Sequence, residues 1–206
     1  MYMLLYFPWF SLLERSVTTH FHVIHMAVDD LIPFCEYFII PYLAWFPYVA
    51  GTVLYFMFTN RVDYLRLCIF LFTGMTVFLL ISTIYPNGAY LRPVIFTDNN
   101  IFIRMVRSLY RIDTPTNLFP SIHVYNSIGV WLAVWKSPQF TNNFRIRIGA
   151  TVMSSLIIMS TVFLKQHSVF DVITAFVMAA FMYMFTYAKS EVREPAIITK
   201  KCYQNT

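Results

Sequence analysis

The chain has 206 residues, of which 58% are hydrophobic and only 12% charged, with a mean hydropathy of +0.59 and a formal net charge of +5. That charged share is about half of what a soluble globular protein carries. It leaves too little polar surface to cover a water-soluble core, while the apolar content is far too high for a disordered chain. Twenty-one Phe and 14 Tyr against five Gly exclude a collagen, and Cys35, Cys68 and Cys202 lack the spacing of a disulfide scaffold, a redox pair or a zinc site.

The composition describes an integral membrane protein: an all-α, polytopic bundle of about six transmembrane helices in a single domain, residues 1–206. Residues 1–13 are apolar but short, and read as a thin first span, a re-entrant segment or an interfacial one. No basic region precedes them and Glu14-Arg15 follows, unlike a cleaved signal peptide. His20, His22 and His25 come next, a tight group without the acidic or Cys partner that would make a convincing zinc set. Asp29 and Asp30 read as residues that cap or solvate a loop before a span.

Five windows then approach the 20 apolar residues needed to cross the hydrocarbon: residues 37–58, 65–84, 118–135, 148–164 and 169–188. Pro41 and Pro47 in the first of these are tolerable where neighbouring helices cover the freed carbonyls. With six spans the connections alternate between two sides. Arg61, Arg66, Lys136, Arg145, Arg147, Lys189, Arg193, Lys200 and Lys201 fall on one side, and Arg15, Arg92, Arg104, Arg107, Arg111 and Lys165 on the other. Nine against six puts the first group and both termini in the cytoplasm. The basic residues between spans thus read as topogenic, and no nucleic-acid partner is expected.

The connection over residues 85–119 is unusually long, and long loops in compact domains tend to be functional. Within it Ile101, Phe102, Met105, Val106 and Leu109 recur at helical spacing, with Arg104, Arg107 and Arg111 on the opposite face. The pattern predicts a short helix lying on the membrane surface, its arginines turned to solvent or lipid headgroups.

Three polar pieces share the outer side: Arg92-Pro93 in the long loop, Pro120-Ser121-Ile122-His123 where the fourth span begins, and His167 with Asp171 where the last begins. Each alone is unremarkable, since a His near a span end is commonly an interfacial residue and an Asp in a first turn suits the helix dipole. Together they carry more weight, because Asp171 lies a full turn inside an apolar span, where an ionisable group is costly.

In order and spacing these pieces resemble the type 2 phosphatidic acid phosphatase superfamily. Its motifs Lys-x6-Arg-Pro, Pro-Ser-Gly-His and Ser-Arg-x5-His-x3-Asp are matched by Tyr85-x6-Arg92-Pro93, Pro120-Ser121-Ile122-His123 and Ser160-Thr161-x5-His167-x3-Asp171. The likeness covers roughly residues 35 to 190. Tyr85, Ile122 and Thr161 depart from it, the first and last removing two phosphate-binding cations. Ile32-Pro33-Phe34 with Pro41-Tyr42 and Trp45 looks more like the branch containing sphingolipid synthases and related bacterial lipid phosphatases.

The resemblance implies His167, His123 and Asp171 as catalytic residues, and Arg92, Ser121, Ile122 and His123 as contacts to the substrate phosphate. Chemistry supplies compatible roles. Residues four apart share a helix face, so Asp171 can accept from one ring nitrogen of His167 and free the other to attack phosphorus. His123 is then the acid for the leaving alkoxide, and Arg92 can grip two oxygens with its fork. Ser121 stands at a helix N-terminus, where amides bind anions. Lys165 is expected to replace the missing family cations. No metal or other cofactor is expected, because nucleophile, acid and clamp are all side chains.

The expected activity is removal of the terminal phosphate of a membrane lipid phosphate or polyprenyl diphosphate through a phosphohistidine, at the extracytoplasmic face of the plasma membrane. The alternatives are a lipid phosphotransferase that passes the group to an alcohol, and a non-catalytic lipid-binding or transport protein. Partners are the lipid phosphate substrate and membrane lipids.

Overall fold

A computed structural model describes residues 2–17, 20–96 and 99–188. Cys202 and the tail basic residues Lys189, Arg193, Lys200 and Lys201 lie outside the described residues. In chain order the elements are α1 (Tyr2–Ser16), β1 (His22–Val23), α2 (Ala27–Leu31), α3 (Ile39–Thr59), α4 (Arg61–Ile84), β2 (Asn87–Gly88), α5 (Ile101–Ile112), α6 (Ile122–Lys136), α7 (Phe144–Phe163) and α8 (Val169–Tyr183). A 3-10 turn (Glu36–Phe38) leads into α3, another (Pro138–Phe140) lies between α6 and α7, and a widened turn (Met184–Ala188) extends α8. This is the all-α membrane bundle expected. By length and composition four helical stretches can cross a membrane: Glu36–Thr59, Arg61–Ile84, Phe144–Phe163 and Val169–Tyr187.

The two shorter long helices have separate explanations. Helix α6 has 15 residues, about 22 Å at 1.5 Å per residue, and it is the central post of the bundle. Val124, Tyr125, Ile128, Val130, Ala133 and Val134 are all buried against α4, α7 and α8. Glycines permit the close approach: a Cβ on Gly74 of α4 would lie 2.0 Å from the Tyr125 ring, and one on Gly129 of α6 would lie 2.7 Å from the Phe70 ring. The two rings stack at 4.7 Å, and Tyr125 Oη donates to the Phe70 carbonyl at 2.8 Å. Small residues and a satisfied hydroxyl are what helix packing inside a membrane demands.

Helix α1 reaches only part of the way. Tyr2 stacks on Phe72 and its hydroxyl meets Thr76, while Trp9 Nε1 donates to Thr83. These partners run from the middle of α4 to its end, so α1 starts partway along the bundle and ends among the loops. The short apolar start thus forms a helix packed on α4.

Large apolar side chains on the outer faces of α3, α7 and α8, such as Phe46, Phe58, Val152 and Phe181, are exposed. In water such a surface would drive aggregation; in lipid it is the expected boundary.

The expected surface helix is present as α5, but its apolar stripe faces protein. Ile103 and Val106 are buried, the latter in a cluster with Ile39, Tyr42 and Leu164. Arg104 and Arg111 are exposed on the other face, and Arg107 lies over the Phe96 ring at 5.2 Å. The helix is therefore a cover on the loop end of the bundle. One feature without a sequence signal is the two-residue parallel pairing of β1 with β2, which ties the segment after α1 to the long loop.

Candidate active site

The loop end gathers the segment after α1, the long loop, the start of α6 and the turn between α7 and α8. Asn87 fixes the long loop to the entry of α6. It is wholly buried, its Oδ1 accepts from the amides of Leu118 and Phe119 at 2.8 and 2.9 Å, and its Nδ2 donates to the Tyr85 carbonyl. A cis Phe119-Pro120 bond then leads into Ser121, the N-cap of α6. This sets His123 in the first turn of α6, stacked on Tyr42 at 4.6 Å and beside Trp45 at 4.3 Å.

His167 arrives from the other side. After α7 the chain turns through Lys165 in the left-handed region, φ 54°, and the amides of Gln166 and His167 both donate to the Thr161 carbonyl. Ser168 caps α8, and Asp171 reciprocates by accepting from the Ser168 amide at 2.9 Å, a capping box. The same Asp171 oxygen, Oδ2, lies 3.5 Å from His167 Nδ1. That is longer than a formed hydrogen bond, and Nδ1 and Asp171 Oδ1 are buried without another partner. Catalytic hydrogen bonds in empty sites are commonly loose and tighten around the substrate. The two imidazoles stand 5.8 Å apart, centre to centre.

Both histidines open onto a cavity of about 620 Å³. Its apolar wall comes from Tyr6, Phe7 and Phe10 of α1, Tyr42 and Trp45 of α3, and Phe78 of α4. The polar end carries Glu14, Asp113, Thr114, Asn117 and the histidine pair. Glu14 is held by hydrogen bonds from Thr114 Oγ1 and from Asn117 Nδ2. An apolar slot ending in polar groups is the form of a site for an amphipathic ligand.

The remaining expected residues occupy different places. Arg92 Nη1 donates to the Asp113 carbonyl at 2.7 Å and the Tyr110 carbonyl at 3.4 Å; Nη2 donates to the Thr114 carbonyl at 3.2 Å and Gln166 Oε1 at 2.5 Å. Its guanidinium also lies over the Tyr110 ring at 4.6 Å. The fork thus grips protein, fastening the loop after α5 to the turn that carries His167. Burial lowers its pKa, an effect that nearby Asp113 opposes. Ser121 is fully buried and spends its hydroxyl on the Val124 amide, while Ile122 reaches the cavity wall. Lys165 Nζ donates to the Asp29 carbonyl at 2.5 Å, and neither Lys165 nor Arg92 is among the residues lining the cavity. Tyr85, at the position of the absent family Lys, stacks face to face on His22 at 4.3 Å. His25 pairs instead with Asp30 at 3.0 Å.

Three groups escaped the sequence reading. Asn87 and Gln166 carry no signal of their own, each a single amide in a loop. Asp113 is the C-cap of α5, lines the cavity and accepts from Tyr42 Oη at 3.2 Å. Burial raises its pKa above the ordinary carboxylate range, with Arg92 pulling the other way.

A histidine pair with a carboxylate partner thus stands at the loop end of a membrane helix bundle. A family model described as the PAP2 superfamily matches residues 89–194, just over half of the chain and all of the motif residues from Arg92 to Asp171, and the protein belongs to that superfamily. No curated protein and no solved structure matches the chain. Membership suggests phosphatase activity on lipid phosphates.

Proposed function

We propose that the protein removes the terminal phosphate of a membrane lipid phosphate or polyprenyl diphosphate through a phosphohistidine at the extracytoplasmic face. The observation that carries this reading is the pair of imidazoles at the polar end of an aromatic-walled cavity, one of them backed by Asp171.

His167 Nε2 attacks phosphorus and the P–O bond to the lipid breaks. His123 gives a proton to the departing oxygen, then takes one from the water that attacks the phosphohistidine and releases phosphate. Asp171 holds the Nδ1 proton and stabilises the charged ring. In this scheme Ser121, Ile122 and the α6 N-terminus face the phosphate, and Arg92 releases its carbonyl partners to contribute positive charge, while Lys165 stays on the Asp29 carbonyl. The excess of Lys and Arg on the opposite side supports the extracytoplasmic placing; the membrane in this proposal is the plasma membrane.

The test is phosphate release from phosphatidic acid, phosphatidylglycerophosphate, isoprenyl diphosphates and sphingoid phosphates, with His167→Asn as control. Release by the wild type from one of these, lost in the variant and retained in a strong chelator, is expected. Equal release by both proteins refutes the scheme.

A second reading draws on the charges. Arg92 and Lys165 are engaged with protein oxygens, Tyr85 and Thr161 bring no charge, and the cavity lining sets Glu14 and Asp113 against the single cation of Arg15. Such surroundings suit a singly charged phosphodiester better than a dianion. This favours a phosphotransferase of the sphingolipid-synthase-like branch, passing a phosphoryl headgroup to an alcohol. Headgroup transfer that requires an added alcohol, without free phosphate, would select it.

A further inference from the structure

We infer that Asp29 is a positioning residue for His167, clamping the nucleophile's turn on both flanks and, through Ser168, setting Asp171 behind the imidazole. The inference rests on His167 as the nucleophile proposed above.

The sequence gives Asp29 the bland role of capping a loop, and part of that is realised: its Oδ2 accepts from the Met26 amide at 2.8 Å, at the start of the five-residue α2. The rest of the residue is spent far away in the chain. Oδ1 accepts from the Val169 amide at 2.8 Å, and Oδ2 from Ser168 Oγ at 2.6 Å. Its main-chain carbonyl accepts from Lys165 Nζ. The carboxylate is 2% exposed, so each of these bonds forms away from competing water and its loss is costly.

The bonds lie on either side of His167. Lys165 is two residues before it, in a left-handed conformation that non-glycine residues adopt only when surroundings hold them there. Ser168 and Val169 follow it, and a carboxylate at the first amides of α8 is favoured by the helix dipole. Ser168 then passes the constraint on: its amide donates to the Asp171 oxygen that stands 3.5 Å from His167 Nδ1. Asp171 Oδ1 is buried without a hydrogen-bond partner, so the Ser168 end of the box sets where the carboxylate sits. Lys165 acquires a role here as a tether for the turn, in place of a contact to phosphate.

The experiment uses the full chain in detergent micelles with 15N-labelled histidine, comparing wild type, Asp29→Ala, Asp29→Asn and Ser168→Ala. The His167 ring resonances are identified by their loss in His167→Asn. Turnover of phosphatidic acid in mixed micelles is followed in parallel. Asparagine loses the Met26 amide's bond but keeps an acceptor for the Val169 amide and lets Ser168 Oγ accept instead of donate, so on the His167 side it should retain the wild-type ring signature. Alanine should move the His167 ring shifts toward a mixture of tautomers and lower kcat by about a hundredfold, the cost of roughly 1 Å of misplacement, with KM little changed. Ser168→Ala keeps Asp29 and its bond to Val169, so it reports on the link even if Asp29→Ala does not fold, and it should move the same resonances.

Unchanged His167 shifts in folded Asp29→Ala, or in Ser168→Ala, would overturn the clamp and leave Asp29 a structural cap. Failure of the wild type to turn over phosphatidic acid bears on the proposed substrate alone, since the ring shifts are read without substrate and decide the clamp by themselves.

Discussion

The two ends of the bundle are built by different rules. At the end away from the histidines, connections are short and sealed mainly by their neighbours, with Gln139 reaching across to the exposed Thr59 carbonyl: Asn60 alone separates α3 from α4, and its Oδ1 accepts from the amides of Val62 and Asp63. Ser137 and Asn143 likewise bond to amides two and three residues on. At the histidine end the corresponding work falls to groups distant in sequence: Asn87 holds Leu118 and Phe119, Arg92 holds Gln166, and Asp29 holds Ser168 and Val169. A local cap closes a helix and nothing more. A distant clamp fixes several loops relative to one another, which is what placing two imidazoles from separate helices requires.

The largest effect expected at either end is on chemistry. His167→Asn removes the proposed nucleophile and should lower turnover by at least about 10⁴-fold, the scale on which members of a concerted catalytic unit fail, while the melting temperature stays near that of the wild type. Substantial residual activity would mean that the histidine end is organised around some other group.

The next measurement compares the two ends directly. Asn87→Ala strands the amides of Leu118 and Phe119, the former in a wholly buried bond, and each orphaned buried group costs about 1–3 kcal/mol. Asn60→Ala removes one half-buried helix cap, worth about 1 kcal/mol, and the Nδ2 bond to the Asp63 carboxylate, whose other oxygen still faces Arg66. In thermal unfolding Asn87→Ala should therefore melt well below Asn60→Ala. Equal losses would erase the distinction between distant clamps and local caps.

The same distinction decides what could be read from the chain. The bundle was legible because membrane helices announce themselves by length and hydropathy, and His123, His167 and Asp171 because ionisable groups at span ends are expensive enough to demand a reason. The Asn60, Ser137 and Asn143 caps follow from local spacing. Asn87, Gln166 and the full reach of Asp29 do not, since each acts on residues whose nearness only the fold creates. Arg92 shows the limit from the other side. Its motif pointed to phosphate, but whether a guanidinium faces a ligand or a set of carbonyls depends on where residues 110–114 turn, and no periodicity fixes that.

The smallest effect concerns Asp113, where the clamp contains a titrating group. It sits between Tyr42, which donates to it, and Arg92, which bonds its carbonyl, and burial raises its pKa despite the guanidinium. A carboxyl whose folded pKa lies above its unfolded one stabilises the fold as the neutral acid. That contribution is complete below the ordinary value of about 3.9 and is lost as pH rises through the raised folded value. Asp113→Asn keeps a neutral group of the same shape and does not titrate. The melting temperature of the wild type relative to this variant should thus be most favourable in acid and decline as pH rises from about 4 toward neutrality. A difference that stays flat would mean burial and the Arg92 charge cancel. One that grows with pH would mean Asp113 is held as a carboxylate, making it the true counter-ion of Arg92 and leaving that arginine less charge to lend to a phosphate.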